Sequence, residues 1–211
     1  MTKPMTKPMT KPMTKPMTPP APRFRRYTAE VRAAMLVEAG LVCLARGGIT
    51  AFTVDNICRQ AGASRGLIAH HFGGKEGLLR AVYAAVYRPI LADLAGEPAL
   101  GWLVARIVAP EHFNRDRLNV WLALWGEVAA NPALRAEHRV HYARYRSLIS
   151  ASIRRFAGSG LDAAEADELA VSFIALVDGL WLEQCLDPQQ VSPQRAKAVC
   201  LRMLEQRLGP L

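Results

Sequence analysis

The stretch TVDNICRQAGASRGLIAHHFGGKEGLL, residues 53–79, constrains the fold more than any other part of the chain. Two short segments of helical periodicity are joined by Ala61-Gly62-Ala63-Ser64, which leaves room for a tight turn and nothing else. Thr53 is placed to cap the first segment, Asp55 favours the positive end of its dipole, and Gly62 ends it. Ser64 is placed to cap the second, and the Gly73-Gly74 pair ends that one. Lys75 then opens a longer helix that runs to about Leu94. The pattern predicts a helix-turn-helix, with Ser64–Phe72 as the member that enters a groove.

A helix upstream has to support this pair. Thr28 can cap it, and Val31, Met35, Leu36, Ala39, Val42 and Cys43 recur at three- and four-residue spacing until Gly47-Gly48 stops the pattern. Val54, Ile57, Leu67, Ile68 and Phe72 supply the apolar contacts that hold the two short helices against it. Ser64, Arg65, Gly66, Ala69 and His70 are left facing outward, a short and partly small set suited to a helix pressed into a major groove.

The remainder reads as further helices near 98–109, 114–130, 132–157, 163–186 and 193–208. Asn131-Pro132 and Ser192-Pro193 each place a cap before a first-turn proline, and Asp162 with Glu165 resembles a capping box. The class is therefore all-α, an N-terminal three-helix domain with a helix-turn-helix followed by a C-terminal helical domain. Residues 163–186 are apolar on nearly all sides, which points to burial against several neighbours, a partner subunit included. With residues 192–208 they are expected to form half of an intersubunit four-helix bundle.

Charge divides along the same line. Residues 1–91 carry 14 Lys and Arg against 4 Asp and Glu, whereas residues 92–211 carry 13 against 14. A basic N-terminal part and a neutral C-terminal part favour nucleic acid over a membrane surface as the partner. The first twenty residues are four copies of Met-Thr-Lys-Pro and a degraded fifth. Proline at every fourth position disfavours helix, so this arm is expected to lack regular structure. It reads either as a basic arm tracking phosphates or as a tolerated tandem repeat upstream of a start at Met17. Cys43, Cys58, Cys185 and Cys200 form no C-x-x-C pair and read as reduced, packed side chains. No apolar run suggests a secretory signal or an uninterrupted bilayer span, so a cytoplasmic protein is expected.

The segment ARGGITAFTVDNICRQAGASRGLIAHHFGGKEGLLRAVY resembles the DNA-binding region of TetR-family transcriptional repressors, including its Phe72-x-x-Lys75-x-x-Leu78-Leu79 tail. Farther on, LNVWLALWGEVAANPALR and ALVDGLWLEQCL resemble the choline-responsive BetI group of that family. With the repeat arm set at 1–22, the resemblance implies a helix-turn-helix domain (23–74) and an effector-binding and dimerisation domain (75–211). It implies phosphate contacts from Thr53, Ser64, His71 and Lys75, and base or groove contacts from Arg65, Gly66, Ala69 and His70. Ala69 and its neighbours stand where the family usually has aromatic residues, so Ala69 supplies at most contact with a thymine methyl. The implied partners are double-stranded operator DNA, a second copy of the chain, and choline or a related quaternary ammonium. The implied role is repression of glycine-betaine synthesis genes, relieved or modulated by choline. The alternative within the family is a repressor of an efflux or catabolic operon that senses another lipophilic cation.

The residues themselves offer a matching site. A quaternary ammonium has no N–H donor, so proteins hold it with aromatic faces and a carboxylate. Trp121 and Trp125 lie one turn apart on one helix, and Asp178 and Trp181 one turn apart on another; these four are the expected cage. His70 and His71 point about 100° apart and suit DNA contact rather than a shared metal. His138 and His141 have metal-like spacing, but no third ligand accompanies them. No cofactor and no catalytic triad are expected, and the chain does not read as an enzyme.

Overall fold

The computed structural model describes residues 27–211. The expectation for the Met-Thr-Lys-Pro arm lies outside the described residues. Among those described there are nine α-helices and no strand: α1 (Ala29–Ala51), α2 (Val54–Ala61), α3 (Arg65–Phe72), α4 (Lys75–Ala95), α5 (Leu100–Ile107), α6 (Arg115–Ala130), α7 (Pro132–Ala157), α8 (Ala163–Leu186) and α9 (Pro193–Leu208).

The caps read from the sequence account for most boundaries. Thr28 Oγ1 accepts from Val31 N and Thr53 Oγ1 from Asn56 N, while Asn131 and Ser192 close the starts of α7 and α9. Asp162 and Glu165 form the full reciprocal box at α8. Ser64 differs, because it holds the N-cap position of α3 with an extended backbone but its hydroxyl makes no capping bond. In α1 the helical backbone is interrupted at Gly47 and Gly48, the latter at φ +61°, before a last turn reaches Ala51. Gly62 and Gly73 end α2 and α3 in the left-handed conformation that glycine adopts without strain.

Leu36, Leu44, Phe52, Ile57, Ile68, Leu78 and Val82 are all at most 2% exposed and knit α1–α4 together. The start of α1 lies outside this core, and Val31, expected on its apolar side, is 43% exposed. A Cβ on Gly77 would stand 1.8 Å from the Phe72 carbonyl oxygen, so only glycine lets the end of α3 abut the first turn of α4.

The two parts share one continuous apolar core. Helix α4 runs from the head into the C-terminal part and packs on α7, and α1 lies along α6. Asn119 of α6 donates to the Ala45 carbonyl of α1 at 3.0 Å. Helices α1 and α8 are long and apolar enough on average to cross a bilayer. Both are interrupted by charge, Glu30, Arg32, Glu38 and Arg46 in α1 and Glu165, Asp167, Glu168, Asp178 and Glu183 in α8. Both also contribute to the shared core. All four cysteines are free, and three are buried.

Candidate functional site

The α2–turn–α3 unit presents one polar surface. Thr53, Ser64, Arg65, Gly66, Ala69, His70 and Lys75 are exposed and His71 is half-buried. The four apolar side chains opposite, Ile57, Cys58, Ala61 and Ile68, are buried, which fixes α3 with this face outward. Arg65 pairs with Asp55 across the turn at 2.5 Å, with both side chains largely exposed. In water such a pair contributes little to stability, and it holds the guanidinium at the N-terminus of α3. Thr53 uses its oxygen to cap α2 but keeps its hydroxyl hydrogen to donate, and the Ser64 hydroxyl is uncommitted. These groups sit at helix N-termini, where backbone amides and the dipole favour anions. The rings of His70 and His71 meet edge-on with centroids 5.0 Å apart. Among the described residues no group of three or more His, Cys, Asp or Glu is arranged to hold a metal ion.

The second site is a cavity of about 70 Å³ enclosed by α4, α6, α7 and α8. Its wall contains all four residues expected of the cage, Trp121, Trp125, Asp178 and Trp181. Helical spacing aims Trp121 and Trp125 the same way from α6, with ring centroids 5.6 Å apart. Trp181 approaches Trp121 from α8 at 6.0 Å, and buried Phe113 backs Trp181 at 6.1 Å. Trp102, nearly half-exposed, takes no part in the wall.

Several wall residues escaped the sequence reading. Tyr87 of α4 meets Trp121 edge-to-face at 5.0 Å, and Tyr142 and Tyr145 face the cavity from α7. The signal was present as aromatics at i, i+4 in α4 and i, i+3 in α7, but spacing alone does not separate a cavity wall from ordinary core. His138 belongs to the wall too, and its Nδ1 lies 2.7 Å from the Tyr83 hydroxyl. His141 stacks on Tyr87 with centroids 5.4 Å apart. Both histidines thus lie against aromatic rings. Pro89 of α4, which removes one backbone hydrogen bond from the helix, also borders the cavity.

Asp178 is the single carboxylate in this wall. Among the described residues its oxygens have no hydrogen-bond or ion-pair partner, and burial raises its pKa to about 7. The same burial pushes the Tyr83 hydroxyl up to about 12 and raises Tyr87 and Tyr145 further, with Asp178 adding to each. Desolvation lowers His138, so it stays neutral at physiological pH. An uncompensated carboxylate among indole and phenol faces is a poor structural arrangement and a good receptor for a cation without N–H donors.

Comparisons with known proteins give matches to both parts of the chain. Residues 36–82 match the family model for bacterial regulatory proteins of the tetR family, and residues 99–209 match that for the C-terminal part of BetI-type transcriptional repressors. A regulator named HTH-type transcriptional regulator BetI 1, from Chromohalobacter salexigens, is 31% identical over 85% of this chain and 91% of its own. A crystal structure of a transcriptional regulator from Pseudomonas aeruginosa PAO1 superposes with a TM-score of 0.76, with 34% identity over 88% of this chain and 94% of that one. A regulator from Saccharomonospora viridis, solved in complex with choline, shares the fold at a TM-score of 0.71 and 24% identity, over 86% of this chain and 98% of that one.

A helix-turn-helix head fused to a helical domain that holds a cavity is the architecture of a DNA-binding transcriptional regulator. The chain belongs to the TetR family of transcriptional regulators, with a C-terminal domain of BetI type.

Proposed function

We propose that the protein is a homodimeric, cytoplasmic repressor of glycine-betaine synthesis genes, whose grip on operator DNA is modulated by choline bound in the α4–α8 cavity. The observation that carries the effector reading is Asp178, a partnerless, partly buried carboxylate that shares the cavity wall with Trp121, Trp125, Trp181 and Tyr87. The choline complex of the Saccharomonospora viridis relative supports the same reading.

In this scheme residues 23–74 form the DNA-reading head and residues 75–211 the effector and dimerisation part. Arg65 forks onto guanine O6 and N7, Gly66 lets the backbone close on the bases, and Ala69 and His70 complete the groove contacts. Thr53, Ser64, His71 and Lys75 hold flanking phosphates and set the register of α3. Helices α8 and α9 meet their symmetry mates, covering Val171, Leu182 and Leu186, which are exposed on the single chain. A two-fold dimer presents its α3 helices about 34–36 Å apart, one turn of B-DNA. Choline presses on the wall that α4 shares with α7, shifts α4 and so alters the spacing of the heads. Effector and operator must then change each other's affinity by the same factor.

The test pairs titration calorimetry with footprinting upstream of the protein's own gene. Choline is expected to bind, whereas dimethylbutanol, its uncharged carbon isostere, is not. The footprint is expected to cover a near-palindrome and to change with choline. Binding of a bulky cationic dye in place of choline would reassign the protein to an efflux or catabolic operon.

A further inference from the structure

A groove of about 980 Å³ runs between α1, α4 and α6, outside the effector cavity. Ala33 and Ala34 of α1 and Ala81, Ala84 and Ala85 of α4 line it, and these small side chains leave room for a chain to lie between the helices. The α1 wall carries two carboxylates, Glu30 and Glu38, and no cation, while Arg88 and Arg117 stand on α4 and α6. Among the described residues neither carboxylate takes part in an ion pair.

One segment of this same chain matches the groove in place, length and charge. The described residues begin at Tyr27, whose ring lies 4.7 Å from the Arg32 guanidinium, so the N-terminal arm joins the body at the first turn of α1, beside Glu30. Residues 15–26, KPMTPPAPRFRR, hold Lys15, Arg23, Arg25 and Arg26 and no Asp or Glu. The groove follows α1 from Glu30 to Ala45, about 22 Å of helix axis. A segment of this length stretches to about 40 Å, enough to turn back and cover it. Pro16, Pro19, Pro20 and Pro22 have no N–H, so burying the segment strands few amide donors. Phe24 and Met17 are its largest apolar side chains.

We infer that residues 15–26 dock in this groove of their own chain, with Phe24 among the alanines and the arginines against Glu30 and Glu38. Tethering makes even a weak fit sufficient. A short tether sets an effective concentration of about a millimolar, so an intrinsic Kd of about 0.1 mM leaves the arm docked roughly nine-tenths of the time. Docking assigns these cations a place on the protein rather than in a DNA groove. The docked arm also bears on the effector cavity from outside, because Val86, Pro89 and Arg117 border both spaces.

Photocrosslinking on the full chain tests this. With p-benzoylphenylalanine in place of Phe24, irradiation is expected to join residue 24 to α1 or α4 of the same chain, at groove residues mapped by peptide mass spectrometry. Ala34→Arg fills the groove and Glu38→Lys reverses its charge, both at exposed positions. Each is expected to lower the crosslink yield by about half or more, with melting curves reporting that both variants fold. Operator binding gives an independent readout. Arg23→Gln, Arg25→Gln and Arg26→Gln together are expected to leave its salt dependence unchanged, whereas an arm that tracks phosphates loses about three ions. Crosslinks that map outside the groove, to operator DNA or to a second copy of the chain overturn the docked arm. A groove crosslink that neither variant lowers overturns it too, as does a salt dependence reduced by about three ions.

Discussion

The Tyr83 hydroxyl and His138 Nδ1 lie 2.7 Å apart and tie α4, the helix that leaves the DNA-reading head, to α7 at the cavity wall. Tyr83 is fully buried, and His138 is neutral because desolvation lowers its pKa, so its Nδ1 can accept the tyrosine proton. Any ligand that displaces His138 therefore acts on α4 through a direct, part-buried hydrogen bond.

Tyr83→Phe removes this link and leaves a part-buried ring nitrogen unpaired. A loss of about 1–3 kcal/mol is expected, seen as a Tm lowered by about 2–4 °C for each kcal/mol. Operator affinity without choline is expected to change less than the factor by which choline alters it. Fluorescence anisotropy with and without choline measures that factor. An unchanged factor would remove Tyr83–His138 from the coupling route.

Choline affinity should rise with pH through the neutral range. Asp178 must be ionised to hold a cation, and burial has moved its pKa from 3.8 to about 7. Affinity is expected to climb by up to about tenfold per unit below pH 7 and to level off near pH 8. His112 and His138 are both held below 6.5 by desolvation, so between pH 6.5 and 8 the profile reports Asp178. Stability runs the opposite way. A group whose folded pKa is raised stabilises most below its unfolded pKa and loses that contribution as pH rises through the folded value. The unliganded protein should therefore lose stability between about pH 4 and pH 7. Asn at position 178 should raise Tm at pH 8 while abolishing choline binding, and a D178N protein melting lower than wild type at that pH would contradict the unpaired-carboxylate reading.

Trp125 offers the cleaner test of the aromatic wall, because Trp121 is buried in the shared core whereas Trp125 is only partly buried. Trp125→Leu keeps apolar volume but loses the ring face. Choline binding is expected to weaken by about threefold to thirtyfold, the range of a cation–π contact, with a small change in Tm. Calorimetry and melting curves on one preparation separate the two effects.

On the DNA face, Lys75→Ala and Arg65→Ala should fail differently. Lys75 as a phosphate contact predicts weaker binding to all sequences and a salt dependence reduced by about one ion. Arg65 as a base reader predicts lost discrimination, with about 1–3 kcal/mol less penalty for a mismatched guanine. Competition with mutated operator fragments at several salt concentrations distinguishes them. Asp55→Asn, which releases Arg65 from its ion pair, is expected to tighten non-specific binding.

Gly77→Ala is expected to disable the head altogether. The added carbon would stand 1.8 Å from the Phe72 carbonyl oxygen, so the α3–α4 junction must open. Overpacking against backbone costs about 3 kcal/mol or more, and operator binding should fall before choline binding does. A variant with wild-type operator affinity would show that this junction does not position α3.

Local chemistry in the sequence determined the helices and their order. Capping residues, glycine stops and apolar spacing act within a few residues of chain, so the ends of α6 to α9 were legible to within a residue. The outward face of α3 was legible for the same reason, since two turns of helix leave few ways to bury Ile68 while exposing Arg65 and His70. Tertiary structure alone decided the cavity. Tyr87 lies on α4, His112 in the α5–α6 loop and His138, Tyr142 and Tyr145 on α7, and their spacing is that of any core helix until the helices converge. Asp178 shows the division most clearly. Its place one turn from Trp181 is written in the sequence, but its unpaired state and raised pKa exist only because packing withdrew it from water and supplied no counter-charge.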